Sequence, residues 1–178
     1  MKKFYVFILV ITIFFLSYCK KDHGNNLHSF QRLENYNGSV NLPVEERLLV
    51  TPQLILNILN EFDNVDYYSS YQLNDNEKQL FLNYYNLLPI KYREIIKEKV
   101  IGIYFVNNFL GGGMTEAIFD KNGNMLMALF FNPEILYRNI SDWINFRDNT
   151  VFINDGNINS LVIECNSNYY ALIHTLIS

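Results

Sequence analysis

A cysteine lies close behind a short apolar segment at the N-terminus, and its thiol is the first candidate for chemistry in this chain. Two lysines precede an apolar run from Phe4 to Leu16, and Cys19 follows three residues later. Lysines before a short apolar segment are typical of a cleaved export signal. The run is too short for a permanent membrane helix, because crossing a bilayer takes about 20 apolar residues.

The residues around this thiol resemble the lipobox of bacterial lipoproteins. Leu16-Ser17-Tyr18-Cys19 is close to the pattern Leu-Ser-x-Cys, with Tyr18 where a small residue is usual. The resemblance implies that lipid is attached to Cys19 and that the chain is cut just before it. We therefore expect a signal peptide over residues 1–18. The alternatives are an ordinary secretory signal with an incidental cysteine, or an uncleaved anchor.

The histidines and the second cysteine form no catalytic or metal-binding motif in the sequence. His23 and His28 are five residues apart and lack a third ligand for zinc. If Cys19 carries lipid, Cys165 has no disulfide partner, and we interpret it as a small buried residue. His174 is alone on an apolar helix and is predicted to pack in the core. The sequence therefore predicts no metal and no cofactor.

Three glutamates, a glycine run and a tyrosine-rich segment are the other candidates. Nothing in the sequence brings any two of Glu116, Glu134 and Glu164 together for acid–base catalysis. Gly111-Gly112-Gly113 lacks the lysine of a phosphate-binding loop, so it predicts a turn or a sharp bend at a groove. The segment Tyr67–Tyr71 suggests a ligand-binding loop by composition alone, and packing is the simpler interpretation.

The net charge of the chain argues against a nucleic-acid partner and limits how the chain can attach to a membrane. The chain carries 14 basic and 18 acidic residues. Removal of Lys2 and Lys3 with the signal leaves 12 basic residues and a net charge near −6. Such a chain lacks the concentrated positive charge that nucleic acids require. The membrane is therefore an expected partner through the lipid anchor only, and Lys20 after the cysteine favours the outer membrane over the inner.

The apolar pattern predicts a flexible tether over residues 19–42 and a single α+β domain over residues 43–178. The tether is rich in asparagine and glycine and has no periodicity. Apolar residues at helical spacing then predict helices that begin at Thr51-Pro52, at Asn74 or Asp75, and at Ile90 after Pro89. Tyr92, Ile95 and Ile96 are predicted to face inward in the third helix.

Strands are predicted after these helices. Val100 to Val106, Met114 to Phe119 and Met125 to Phe131 are expected to form a small antiparallel meander, with Asn122-Gly123 as a hairpin turn. Met125 to Phe131 is apolar on both faces and is predicted to be central. The N-terminal helices should cover one face of this sheet. Two short helices, a strand at Leu161 to Cys165 and a final helix, Tyr169 to Ser178, complete the prediction.

From Val100 onward the order of elements resembles the region upstream of the H-E-x-x-H helix in zinc metallopeptidase lipoproteins. The features that carry the resemblance are Gly112 to Ala117, Asp120 to Asn124, Phe131-Asn132-Pro133-Glu134, Ser141-Asp142-Trp143 and Asn168 to Ile177. The resemblance implies that the motif, whose histidines hold zinc and whose glutamate takes a proton from metal-bound water, would begin where this chain stops. The final helix is apolar to its end, so we expect it to lack a partner layer and to be unstable.

The sequence thus gives two interpretations of function. The first is an exported, lipid-anchored protein of the bacterial cell envelope that is non-catalytic as written and acts as a binding or structural module. The second is a truncated relative of a zinc metallopeptidase that lacks its H-E-x-x-H motif. Both place lipid on Cys19, and they differ in whether the domain is complete.

Overall fold

A computed structural model describes residues 28–149, 162, 164–165 and 170–177. The signal segment, Cys19 and His23 lie outside these residues. The α-helices are α1 (Gln53–Asp63), α2 (Asp75–Leu87), α3 (Ile90–Lys99), α4 (Ile140–Asn149) and α5 (Ala171–Ile177). The strands are β1 (Leu48–Leu49), β2 (Ser69–Tyr71), β3 (Val100–Asn107), β4 (Gly113–Phe119) and β5 (Met125–Phe131). Short 3-10 turns cover Ser29–Gln31, Leu33–Asn35, Val44–Arg47 and Pro133–Leu136.

The strands form one mixed sheet with β5 between β3 and β4, so the predicted antiparallel meander is wrong. Strand β5 runs parallel to β3 and antiparallel to β4. Strands β1 and β2 both pair with the edge of β3 that faces away from β5. Phe105 of β3, for example, pairs with Tyr71 of β2 on one side and with Phe131 of β5 on the other. The physical reason is that β3 and β5 are apolar on both faces, which favours a central parallel pair. The predicted central place of β5 is confirmed.

Helices cover both faces of this sheet, which corrects the prediction of one covered face and agrees with the α+β class. On one face, α2, α3, α4 and α5 bury Phe81, Ile96, Trp143 and Leu172 against residues such as Ile103 and Phe131. On the opposite face, α1 buries Ile55 and Leu59 against Tyr104 and Phe130. Alternation along β3 and β5 supplies apolar side chains to both layers.

Residues 28–42 pack against the sheet, so the predicted flexible tether does not extend through them. Phe30 is only 2% exposed and stacks on Phe130, with ring centroids 5.7 Å apart. The hydroxyl of Tyr36 donates a hydrogen bond to the carbonyl oxygen of Phe30 at 2.6 Å. A Cβ at Gly38 would overlap the carbonyl oxygen of Ile101. The polar composition of this segment concealed a few large apolar anchors that bury it.

The helix boundaries follow local signals in the sequence. Asn74 caps α2, accepting a hydrogen bond from the Glu77 backbone at 3.0 Å, while the Glu77 carboxylate accepts from the Asn74 backbone at 2.8 Å. Pro89 separates α2 from α3, as predicted. Helix α1 begins after Pro52 rather than Thr51, and the Thr51 hydroxyl instead donates to the carbonyl oxygen of Phe105 at 3.4 Å.

Helix α5 has the partner layer that the sequence analysis expected it to lack. Ala171 and Leu172 are buried, and the ring of Tyr170 lies 4.8 Å from the ring of Tyr84 on α2. The packing arises because α4 and α5 both contact the sheet face that α2 covers. In the preceding segment, Val162, Glu164 and Cys165 are not in a strand, and the rest of the predicted strand lies outside the described residues.

Candidate functional site

The structure does not bury Cys165 or His174, contrary to the sequence prediction. Cys165 is exposed, and its backbone N–H donates to the Ser141 hydroxyl oxygen at 2.6 Å. His174 lies on the exposed side of α5, because the buried face of that helix is formed by Ala171 and Leu172. His28 accepts a hydrogen bond through Nδ1 from the Phe30 backbone at 3.3 Å. Among the described residues, no group of three or more His, Cys, Asp or Glu side chains is placed to hold a metal ion.

The three candidate glutamates lie on separate elements. Glu134 lies in a 3-10 turn and pairs with the Arg138 guanidinium at 2.5 Å. Glu116 is half-buried on β4 and hydrogen-bonds to the side chain of Gln31, and burial raises the pKa of its carboxyl group. Glu164 is exposed beyond α4. The three carboxylates therefore have separate surroundings and do not form a pair for acid–base catalysis.

Glu77 is a buried carboxylate that the sequence analysis did not single out. The residue is 3% exposed and accepts hydrogen bonds from the hydroxyls of Tyr71 at 2.6 Å and Tyr137 at 2.5 Å. Burial alone would raise the pKa of Glu77, but hydrogen bonds from Tyr137, Tyr71 and the Asn74 backbone together lower it. The same contact raises the pKa of Tyr137 to about 12. These bonds tie α2 to β2 and to the turn before α4.

In the tyrosine-rich segment Tyr67–Tyr71, Tyr68 and Tyr71 pack against the domain, whereas Tyr67 is exposed. Tyr68 is buried, donates its hydroxyl hydrogen to Asp63 at 2.6 Å and accepts from the Leu110 backbone at 3.1 Å. Tyr71 lies in β2 and bonds to Glu77. The simpler of the two predicted interpretations therefore describes this segment.

Arg47 is a second buried charge, and its partners are all backbone carbonyl oxygens. The guanidinium is 1% exposed and donates five hydrogen bonds of 2.7–3.1 Å. The acceptors are the carbonyl oxygens of Val40, Leu42, Ile96, Lys97 and Val100. Two of these belong to the last turn of α3, where a cation is favourable against the helix dipole. Arg47 thus joins the N-terminal segment to the end of α3 and the start of β3.

An apolar pocket of about 360 Å³ opens between α3, α5 and the β4–β5 hairpin. Tyr92, Ile95 and Ile96 of α3 form one wall, and Thr175 and Leu176 of α5 form another. The floor consists of Gly113, Met114, Thr115, Met127, Leu129 and Phe131, with Val100 at the edge. Among the residues that the structure describes, no charged side chain lines this pocket.

Small residues on the edge strand create the space. Alternation on β4 places Gly113, Thr115 and Ala117 on the same face, and they pair with Phe131, Leu129 and Met127 of β5. The side chains on β5 are larger than their partners on β4, so a space remains between α3 and the edge strand β4. A Cβ at Gly113 would lie 2.6 Å from the Phe131 ring and 2.9 Å from Thr175 Cγ2. The glycine run, predicted to be a turn or a bend at a groove, occupies that position.

Two apolar residues stand at the mouth of the pocket rather than in the core. Tyr92 is 37% exposed and Ile95 is 40% exposed, whereas Ile96 beside them is buried. The prediction that all three face inward is therefore correct only for Ile96. Helical spacing shows which residues lie on the same face of a helix, but their burial depends on what packs over that face.

Comparison of the chain with protein families, with curated proteins and with solved structures finds no match. Within the described part of the chain, no helix has the length and apolar character needed to cross a bilayer.

Proposed function

We propose that this chain is an exported bacterial lipoprotein, held at a membrane of the cell envelope by lipid on Cys19. The short apolar run after two lysines and the lipobox-like residues Leu16 to Cys19 support this proposal. A lipid with two or more chains is sufficient for stable attachment, because each buried methylene contributes about 0.8 kcal/mol. Lys20 in place of aspartate favours the outer membrane.

The folded domain acts, in this proposal, as a non-catalytic binding module whose ligand site is the apolar pocket. The observation that carries the proposal is the pocket itself, with its volume of about 360 Å³ and its glycine-containing floor. Ligand sites in proteins occupy about 300–1,000 Å³ and are lined mainly by apolar side chains with a few polar groups. Its volume is thus at the small end of that range.

The lining favours binding over catalysis. The polar side chains that line it are the hydroxyls of Tyr92, Thr115 and Thr175. The Thr175 hydroxyl already donates to the carbonyl oxygen of Ala171 at 2.9 Å. Such a surface gains free energy by removing apolar ligand area from water, about 25 cal/mol per Å². Its described lining residues supply neither a carboxylate nor an imidazole to move a proton.

A photoreactive hydrocarbon tests this function on the full chain in its membrane. Membranes containing the protein are irradiated with an uncharged alkyl diazirine, and the adducts are mapped by mass spectrometry. We expect saturable labelling of residues that line the pocket. Thr115→Trp should lower that labelling about tenfold by filling the space, whereas Thr115→Ser should leave it nearly unchanged.

Two outcomes would reject the proposal. One is labelling that rises linearly with probe and spreads over the exposed apolar residues of the domain. The other is saturable labelling that Thr115→Trp does not reduce, although the variant retains its native circular dichroism.

A further inference from the structure

One cation lies on the same face of α3 as the residues that form the pocket wall. Lys99 is three residues after Ile96, four after Ile95 and seven after Tyr92, and these spacings place the four residues on one side of the helix. Lys99 is exposed at the last residue of α3. The salt bridges recorded among the described residues involve Arg32, Lys78, Lys121 and Arg138 instead.

We infer that the pocket accepts the alkyl chain of a single-chain anionic amphiphile, a fatty acid, with its carboxylate at Lys99. This inference rests on the proposed function, since it names the ligand class of the same pocket. The described lining residues are uncharged and exclude the head group from the interior, because burying an unpaired charge costs far more than burying a chain gains. The head group must therefore remain at the mouth, where Lys99 supplies the complementary charge.

The size of the pocket favours one chain of moderate length. A volume of 360 Å³ equals that of about a dozen water molecules in the liquid, at about 30 Å³ each. A methylene group is of similar size, so one chain of about ten carbons fills the space. Met127 in the floor is the side chain best able to adapt to a flexible chain.

A second lysine on α3 provides the control for a charge change at Lys99. Glu98 precedes it, and Lys97 lies two residues back, about 200° away around the helix and thus on the opposite side of α3. Lys97 is also exposed, so Lys97→Glu makes the same charge change on the same helix away from the pocket. Lys99→Glu and Lys97→Glu are therefore a matched pair.

The test uses two photoreactive probes on the full chain in its membrane, a ten-carbon diazirine acid and the corresponding alcohol. We expect half-saturation for the acid to occur at a concentration about tenfold below that for the alcohol. Lys99→Glu should raise the half-saturating concentration of the acid about tenfold and leave that of the alcohol unchanged. Lys97→Glu should affect neither probe. In an acid series of six, eight and ten carbons, affinity should rise about fourfold per added methylene.

The outcomes separate this inference from the proposed function. Equal saturable labelling by acid and alcohol, with no effect of Lys99→Glu, overturns the fatty acid and retains the pocket as a site for neutral ligands. An equal loss of acid labelling in Lys97→Glu and Lys99→Glu also overturns it, because the effect is then one of net charge. Failure of both probes to label the pocket rejects the proposed function together with the inference.

Discussion

Gly113 on β4 lies directly opposite Phe131 on β5, so close that a Cβ on the glycine would lie 2.6 Å from the aromatic ring. The same Cβ would lie 2.9 Å from Thr175 Cγ2 on α5. The edge strand β4 therefore contacts both β5 and α5 at a residue that has no side chain. This contact fixes where the floor of the apolar pocket ends.

Gly113→Ala should destabilise the fold through this contact. Either the Phe131 ring or α5 must move to admit the methyl group, and such overpacking costs about 1–3 kcal/mol. Equilibrium urea unfolding measures the change in the free energy of unfolding. Thr115→Ala, on the same face of β4, adds no atoms and is the control; because Thr115 is exposed, it should change stability by less than about 1 kcal/mol. Equal stability of Gly113→Ala and the parent protein would show that the contact is loose.

Arg47→Ala should be among the most destabilising substitutions in the domain. Five carbonyl oxygens lose the guanidinium at once, although that of Ile96 still accepts from the Val100 backbone N–H. Each buried polar group left unsatisfied costs about 1–3 kcal/mol before the structure relaxes or water enters. We expect a loss of about 3–5 kcal/mol, with Arg47→Lys intermediate because it retains charge but fewer donors. Lys97→Ala on the surface is the control, and a loss below 1 kcal/mol for Arg47→Ala would contradict the role given to the guanidinium.

Glu77 should make stability depend on pH in the acidic range. Its pKa is lower in the folded chain than in the unfolded one, so its charged form stabilises the fold above the unfolded pKa. That contribution is lost as the pH falls through the folded pKa. Glu77→Gln should cost about 1–3 kcal/mol at neutral pH and should flatten the decline in stability toward acid. If Glu77→Gln and the exposed control Glu98→Gln show the same pH profile, Glu77 is not the source.

Purified protein should hold much less than one zinc per chain after exposure to zinc and removal of the excess. The three histidines of the chain are at positions 23, 28 and 174, so no two are four residues apart on a helix. Metal analysis by mass spectrometry gives the ratio. One tightly held zinc per chain would contradict this prediction.

Local chemistry made several elements predictable from the sequence. Asn74 and Pro89 mark the start of α2 and the break before α3, because side-chain capping and the proline ring act on adjacent backbone. The turn around Gly123, with φ near +81°, joins β4 to β5 as the Asn-Gly pair predicts. Each of these signals acts between residues that are only a few positions apart in the sequence.

The sheet order and the site depended on contacts between distant residues. The central place of β5 was predictable because its sequence is apolar on both faces, but its parallel pairing with β3 depends on which distant strand it meets. Arg47 and Glu77 resemble surface charges in sequence, because their partners include carbonyls and tyrosines from elements up to 60 residues away. The pocket arises from a difference in side-chain size between two paired strands, and Gly113 was its only sequence signal.

The proposed attachment of this domain to a membrane is tested most directly by the mass of the mature protein. Membrane-extracted protein is digested, and its N-terminal peptide is measured by mass spectrometry. We expect a chain that begins at Cys19 and carries the mass of a diacyl or triacyl lipid, and we expect Cys19→Ala to remove this modification. An N-terminus at another residue, or a Cys19 peptide without acyl mass, would contradict it.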